Sequence, residues 1–303
     1  MAPLCRFCHA PSSQQSIKGR KVYGGRPEQH FWLCASCGMV YLYPPLGEKE
    51  EGDFYNKEFE KFMAKRAGGD MDWTGADKHV QSNQREVHRR MPLLLKYLKP
   101  GQRVLEVGCS SGFMLSALKE QGMEVAGLDP SGGFIDYVRR QGIPVFQTLA
   151  DLKASGCAPF DAVIHYYVLE HIRHPGKFVE EYLGLTGPAG KMIFEVPCAN
   201  DPMIELFQVP AFEDFYWSVA HHWYFTRDSL AKVLTPTGFK FELYPDQRYD
   251  LSNHMTWMLN GKPGGLGRWS QVFGEGLDRQ YKERLKELWI CDTILAVISK
   301  VER

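Results

Sequence analysis

The chain has 303 residues, 44% of them hydrophobic and 24% charged, with 36 basic side chains against 36 acidic ones. That length suits one large domain with appendages or two domains, and the composition is that of an ordinary soluble globule. Zero formal net charge leaves no electrostatic footprint for nucleic acid or an anionic membrane, and no apolar run reaches the length of a membrane span.

The opening MAPLCRFCHAP has no basic segment followed by an apolar one, so no secretory leader is expected and the cytoplasm is the default compartment. Two C-x2-C pairs follow, Cys5/Cys8 and Cys34/Cys37, with 25 residues between Cys8 and Cys34. Each pair can set two thiolates on one tight turn, and two such turns complete a tetrahedral S4 set that suits Zn2+. Gly38 comes directly after the second pair, where a left-handed turn is common. With no fifth ligand or open position evident, the metal is expected to hold a small zinc ribbon together, over residues 1–45, and not to do chemistry. Its stability should be separate from that of the main sheet. Four free thiols in a reducing cytosol, or an iron–sulfur cluster, are the alternatives. Lys18, Arg20, Lys21 and Arg26 are too dispersed to form a dense basic patch. Cys109, Cys157, Cys198 and Cys291 are single and scattered, as reduced buried fillers would be. Residues 46–99 are read as a helical linker or lid.

From about Gly101 strands and helices alternate. RVLEV is a strand, GCSSG a turn and FMLSALKEQG a helix. EVAGLD is a second strand, residues 133–141 a helix, IPVFQ a third strand and FDAVIHYY a fourth. A helix follows Pro175, and GKMIFEVP is a fifth strand. This alternation predicts an α/β fold with a parallel, doubly wound sheet. The glycine turn is not a dinucleotide turn: Ser110 replaces the second glycine of G-x-G-x-x-G, and Phe113 the third. No Gly-Lys-Ser/Thr follows, so a P-loop fails as well.

The pattern that does fit is E-x-G-x-x-x-G at Glu106, Gly108 and Gly112, with Asp129 ending the second strand. With FDAVIHYYVLEHIRHP and its Leu169, Glu170 and His171, the set resembles the class I S-adenosylmethionine-dependent methyltransferase family over roughly residues 101–300. The resemblance implies a Rossmann-like seven-stranded sheet whose last strand runs antiparallel between the fifth and sixth. It implies S-adenosylmethionine as cofactor, with Glu106 orienting the methionine end and Asp129 accepting the ribose hydroxyls. Gly108 lets backbone approach the ligand, and Ser110 tolerates that approach less well but offers a hydroxyl. The acid that reads adenine in many relatives is missing. Its slot is Leu149, so backbone groups near Thr148 and Leu149, or the Asp151 side chain, remain open choices. His165 and Tyr166 end the fourth strand, at the edge where open α/β sheets bind ligands. Each is read as a cofactor contact or a substrate base, with packing under a helix as the alternative. Glu170 and His171 are expected to stabilise their loop.

The aromatic stretch FEDFYWSVAHHWYFTRDSLAKVLTPTGF reaches over the active-site edge, with Thr226 or Asp228 capping a helix. FKFELY is the sixth strand and DTILAVISK the seventh. Residues 246–288 between them are too long for an ordinary loop and are read as a substrate-side insertion. A cysteine-rich head before this domain resembles a subgroup that includes C-methyltransferases of nucleotide-linked ketosugars. Aligned on Tyr224-Phe225-Thr226, their Tyr-His-Glu-His segment falls on Ser218, Val219, Ala220 and His221, and only His221 matches. No counterpart of their large C-terminal domain is expected. The reaction implied is methyl transfer to a small molecule, a sugar nucleotide or glycan precursor. His221 or His222 would be the base, with His221 favoured by the alignment and Tyr166 in reserve; a structural histidine pair is the alternative. An RNA or protein methyltransferase docking through the head and a non-catalytic scaffold are the rival readings. The sequence leaves the oligomeric state open.

Overall fold

A computed structural model of the protein describes residues 2–66, 75–130 and 133–300. Part of the expected lid, at 67–74, lies outside the described residues. The head contributes three antiparallel strands: β1 (Gln15–Gly19), β2 (His30–Cys34) and β3 (Val40–Tyr43). The main sheet contains β4 (Arg103–Val107), β5 (Glu124–Leu128), β6 (Val145–Phe146), β7 (Phe160–Tyr166) and β8 (Thr186–Pro197). After β9 (Trp223–Tyr224) it is completed by β10 (Lys240–Asp246) and β11 (Thr293–Ser299).

Seven strands run in the order β10-β11-β8-β7-β4-β5-β6. Neighbours from β6 to β8 are parallel, as the alternation predicts, and β11 is antiparallel to both β8 and β10, as the family resemblance implies. The central strands are apolar on both faces because helices cover both. Val104, Leu105 and Val107 of β4 and Ile294, Ala296 and Ile298 of β11 are all buried. Helix Pro175–Leu183 starts on Pro175, a first-turn position that needs no amide donor, and buries Phe178, Val179 and Leu183. Helix Gln84–Tyr97 buries Val87 and Leu94 in a second cluster with Ala162 and Ile164 of β7. β6 keeps only two of the five expected residues. Pro144 has no amide to donate, and its carbonyl accepts from Gly127 at 2.8 Å just before the strand begins. Thr226, and not Asp228, caps helix Arg227–Leu234: its Oγ accepts from the Ser229 amide at 3.2 Å.

The head shares a sheet and a hydrophobic cluster with the rest of the chain, where separate sources of stability were expected. Its sheet takes β9 as a fourth strand, Val40 facing Tyr224 and Tyr41 facing Trp223, and the Leu42 amide donates to the His222 carbonyl at 3.0 Å. One hydrophobic cluster joins Val22, Phe31 and Leu42 of the head to Phe212, Trp217 and Tyr224. Phe31 stacks on Trp217 at 5.4 Å and meets the edge of Tyr224 at 5.0 Å. A Cβ on Gly19 would lie 2.5 Å from the Trp217 ring, so only glycine lets the indole seat here. Each large apolar side chain buried across this seam contributes about 1.5–3 kcal/mol. Within residues 246–288, helices Leu251–Asn260 and Ser270–Glu287 form. Trp257 from the first packs on Phe212 at 5.0 Å and Phe215 at 5.1 Å. No helix among the described residues is long and apolar enough to cross a membrane.

Candidate functional site

The turn after β4 is built around backbone that most residues avoid. Gly108 and Gly112 have φ of 72° and 71°, and Ser110 has φ of 48°, uncommon for a residue with a Cβ. The Ser110 amide donates to the Asp129 carboxylate at 2.7 Å, which ties the turn to the end of β5. Glu106 lies beneath it, 2% exposed, and its Oε2 finds no hydrogen-bond partner among the described residues. Burial, the largest cause, pushes the Glu106 carboxyl up to about 8; Arg90 opposes the shift and the charge of Asp129 adds to it. The result is a cradle with a buried acid at its floor and a second acid at its rim.

His79 covers this turn from helix Ala76–Ser82. Its Nδ1 shares a hydrogen bond with Ser111 Oγ at 2.8 Å, and its ring lies 5.2 Å from Phe134. No spacing in the sequence marks His79 for this position. On the far side, Thr148 caps helix Leu149–Ala154. Its hydroxyl donates to the Asp151 carboxylate at 2.7 Å and accepts from the Asp151 amide at 3.1 Å. Asp151 is thereby held on the helix, and Leu149 packs against the main core.

His165 and Tyr166 point to opposite faces of β7, as consecutive strand residues must. His165 is fully buried, stacked on Phe194 at 4.5 Å and edge-on to Phe178 at 5.4 Å. Neither ring nitrogen has a partner among the described residues, and burial holds its pKa down at about 3. It therefore sits, neutral, against helix Pro175–Leu183. Tyr166 lies under the Arg90 guanidinium, 3.7 Å from ring centroid to Cζ, and burial raises its phenol pKa. Arg90 pairs with Glu195 of β8 at 2.9 Å, and Arg89 reaches the same carboxylate at 2.7 Å. This ion-pair network, with Glu86 and Arg248 attached, left no readable spacing in the sequence.

The loop after β7 connects the cradle to a second cluster. Val168 occupies the space above Gly108, where an added Cβ would meet its Cγ2 at 2.6 Å. Two residues on, Glu170 is fully buried, and neither carboxylate oxygen has a partner among the described residues. The His171 Nδ1–H donates to the Ala220 carbonyl at 2.8 Å, and the Tyr55 hydroxyl donates to the same oxygen at 3.0 Å. His221 stands edge-on to His171 at 4.7 Å, its Nδ1 buried without a partner among the described residues. One ligand atom from each of Glu170, His171 and His221 lies within 4.8 Å of the others. His222 turns the other way. Its Nδ1 accepts from Arg6 at 3.3 Å and its Nε2–H donates to Glu51 at 2.9 Å, with Arg173 also paired to Glu51.

In the head, Cys5 and Cys37 approach to 3.7 Å between sulfurs, as do Cys8 and Cys34. A tetrahedron with metal–sulfur bonds of about 2.3 Å has edges of about 3.8 Å. The four cysteines could thus form a zinc site. Amides of Phe7 and Cys8 donate to Cys5 Sγ, at 3.4 and 3.5 Å. The basic residues near it are paired: Lys18 with Glu205, Lys21 with Asp214, Arg26 with Glu28 and Glu50.

The sequence is 31% identical over 152 residues to a ubiquinone biosynthesis O-methyltransferase of Xylella fastidiosa (strain 9a5c), covering 46% of this chain and 58% of that protein. It is 28% identical over 153 residues to the protein of the same name from Xanthomonas oryzae pv. oryzae (strain PXO99A), covering 46% and 61%. The chain thus spans about three fifths of the length of these curated relatives. Among solved structures, the plantazolicin methyltransferase BamL, in complex with a triazolic desmethylPZN analog and SAH, superposes with a TM-score of 0.52 at 14% identity. That match covers 83% of this chain and 95% of the other, and shows a shared fold. Residues 78–243, more than half of the chain, match the family described as "Methyltransferase domain". The match includes the cradle, the loop after β7 and both histidines that follow β8, and the chain belongs to that methyltransferase domain family.

Proposed function

We propose that this protein transfers the methyl group of S-adenosylmethionine to a hydroxyl of a small molecule. The observation that carries the reading is the buried Glu106 carboxyl, its Oε2 without a partner among the described residues, below a left-handed turn whose Ser110 amide is tied to Asp129. A ligand with an ammonium at one end and a ribose diol in its middle fits that pair of acids. Glu106 would meet the methionine ammonium and Asp129 would take the ribose hydroxyls, while Gly108 and Gly112 hold the left-handed turn, with Val168 filling the side on which Gly108 lacks a Cβ. With Asp151 held by Thr148, backbone groups of Thr148 and Leu149 are left to face the adenine. The sulfonium is already activated, so the protein's work is alignment and disposal of a proton.

At the acceptor end the relevant imidazole is His221. His222 has both ring nitrogens engaged by Arg6 and Glu51, whereas His221 faces Glu170 and His171. His165, on the opposite face under a helix, serves packing, and Tyr166 lines the cofactor edge beside Arg90. The names of the curated relatives support O-methylation of a small molecule. A sugar-linked hydroxyl would be one such acceptor, but no relative reported above supports a sugar in particular. The paired basic residues of the head speak against docking on RNA. In this reading residues 1–45 form a head with one structural zinc on Cys5, Cys8, Cys34 and Cys37. Residues 46–99 would be a helical linker or lid and 100–303 the catalytic domain, with 246–288 on the substrate side.

Calorimetric titration with S-adenosylmethionine tests the proposal. Asp129→Ala should lose ten-fold or more in affinity, since a charge-assisted hydrogen bond is worth about 1.5–3 kcal/mol. A folded variant that titrates like wild type would reject the assignment of Asp129, and a wild type that binds no cofactor would reject the function.

A further inference from the structure

We propose that Glu170, His171 and His221 bind one divalent transition-metal ion, which holds and ionises the acceptor hydroxyl; this rests on the acceptor-edge reading above. A carboxylate with no partner in a dry interior is costly, and native structures answer it with a proton, a donor or a cation. Glu170 is 0% exposed and has no donor on either oxygen among the described residues. Arg66, whose charge acts on Glu170, is engaged elsewhere: its guanidinium donates to the carbonyls of Phe215 and Tyr216, at 3.4 and 3.3 Å, and lies 4.6 Å from the Phe215 ring.

Two imidazoles instead face the carboxylate. Because the His171 Nδ1–H is spent on the Ala220 carbonyl, the lone pair is on Nε2. A metal-bound histidine is held in the same way, with its other ring nitrogen donating to a backbone carbonyl. His221 adds a buried nitrogen without a partner among the described residues. Two imidazoles and one carboxylate are a donor set for Fe2+, Mn2+, Co2+ or Zn2+ that leaves coordination positions open. Neighbouring ligands on such an ion are about 3 Å apart, and the observed separations, within 4.8 Å, close to that by side-chain rotation of about an ångström. The head's four thiolates saturate their own metal, so the two sites differ in both softness and openness.

The chemistry balances without a free imidazole base. The acceptor hydroxyl coordinates the ion and releases its proton to solvent, because a bound cation lowers the pKa of an oxygen ligand. An oxygen lone pair then forms the O–CH3 bond while the C–S bond breaks. The bonding pair returns to sulfur, and the products are a methyl ether and S-adenosylhomocysteine. Val168, packed over Gly108 three residues before His171, places this oxygen site beside the cofactor turn.

The test is titration of the whole 303-residue chain, in its zinc-containing form, with Co2+ alone. One equivalent should bind, giving visible d–d bands without a thiolate charge-transfer band, the latter being the mark of exchange into the head. Glu170→Gln and His221→Ala should each weaken this binding by a factor of about 100 while S-adenosylmethionine affinity is kept. Tyr55→Phe, which leaves all three ligands, should weaken it by about ten-fold or less. Wild-type protein that takes up no Co2+ outside the head overturns the proposal, as does a folded Glu170→Gln variant that binds as well as wild type. Either result, with cofactor binding intact, leaves the methyltransferase reading standing; loss of cofactor binding in wild type removes both.

Discussion

The Glu106 carboxyl allows the cofactor site to be tested by counting protons. Burial pushes it up to about 8, so at neutral pH the cofactor-free protein holds it mostly protonated. A methionine ammonium placed beside it requires the carboxylate, and binding therefore releases a proton. The ionised fraction before binding is about one in ten at pH 7 and one in a hundred at pH 6, each unit costing about 1.36 kcal/mol. Affinity for S-adenosylmethionine should accordingly rise about ten-fold between pH 6 and pH 7, below the range in which the ligand's own α-ammonium titrates. Glu106→Gln removes both the proton and the slope. At pH 7 the variant loses a charge-assisted hydrogen bond of about 1.5–3 kcal/mol but avoids about 1.4 kcal/mol of ionisation, so its net loss is about 15-fold at most. Calorimetry in two buffers of different ionisation enthalpy should report close to one proton released by wild type at pH 6 and none by the variant. In the cofactor-free fold, the raised carboxyl contributes stability at acid pH that is lost as pH rises towards 8. Glu106→Gln should therefore gain on wild type in melting temperature over that window. A pH slope that persists unchanged in Glu106→Gln would refute the placement of the ammonium.

His165→Phe should raise the melting temperature and leave cofactor affinity unchanged, because it replaces a buried ring with two unpartnered nitrogens by an apolar ring of similar shape; a marked loss of cofactor affinity would restore His165 as a ligand contact. Elemental analysis should find near-unit zinc per chain before any cobalt is added, and Cys34→Ser should lower it and reduce methyl transfer, since β3 holds β9. Iron in place of zinc, or no metal in carefully reduced protein, would end the structural-zinc assignment.

What the sequence made legible was local. Strand–helix alternation marked a parallel, doubly wound sheet, because buried parallel strands read as apolar runs; the antiparallel last strand was legible only through the family resemblance. Glu106, Gly108, Gly112 and Asp129 fall within 24 residues and so form a motif. Thr226 was one of two readable caps. What stayed hidden was assembled from distant segments. β9 has two residues, too few for an alternation, and its partner β3 lies about 180 positions away. Glu170 and His171 meet His221 from fifty residues apart, and His79 reaches Ser111 from a short helix with no distinctive composition. Alternation along β7 shows that His165 and Tyr166 face opposite ways, but only the placement of helix Pro175–Leu183 decides which of them it covers.

The shared sheet of the head has a consequence for anyone seeking a minimal enzyme. A polypeptide begun at residue 46 would retain the whole cofactor cradle, yet it would leave β9 as a bare edge with Trp217 and Tyr224 stripped of Phe31. An uncovered strand beside exposed aromatics recruits other chains. Such a fragment would self-associate, and the segment presenting His221 would be the first part of it drawn into the aggregate.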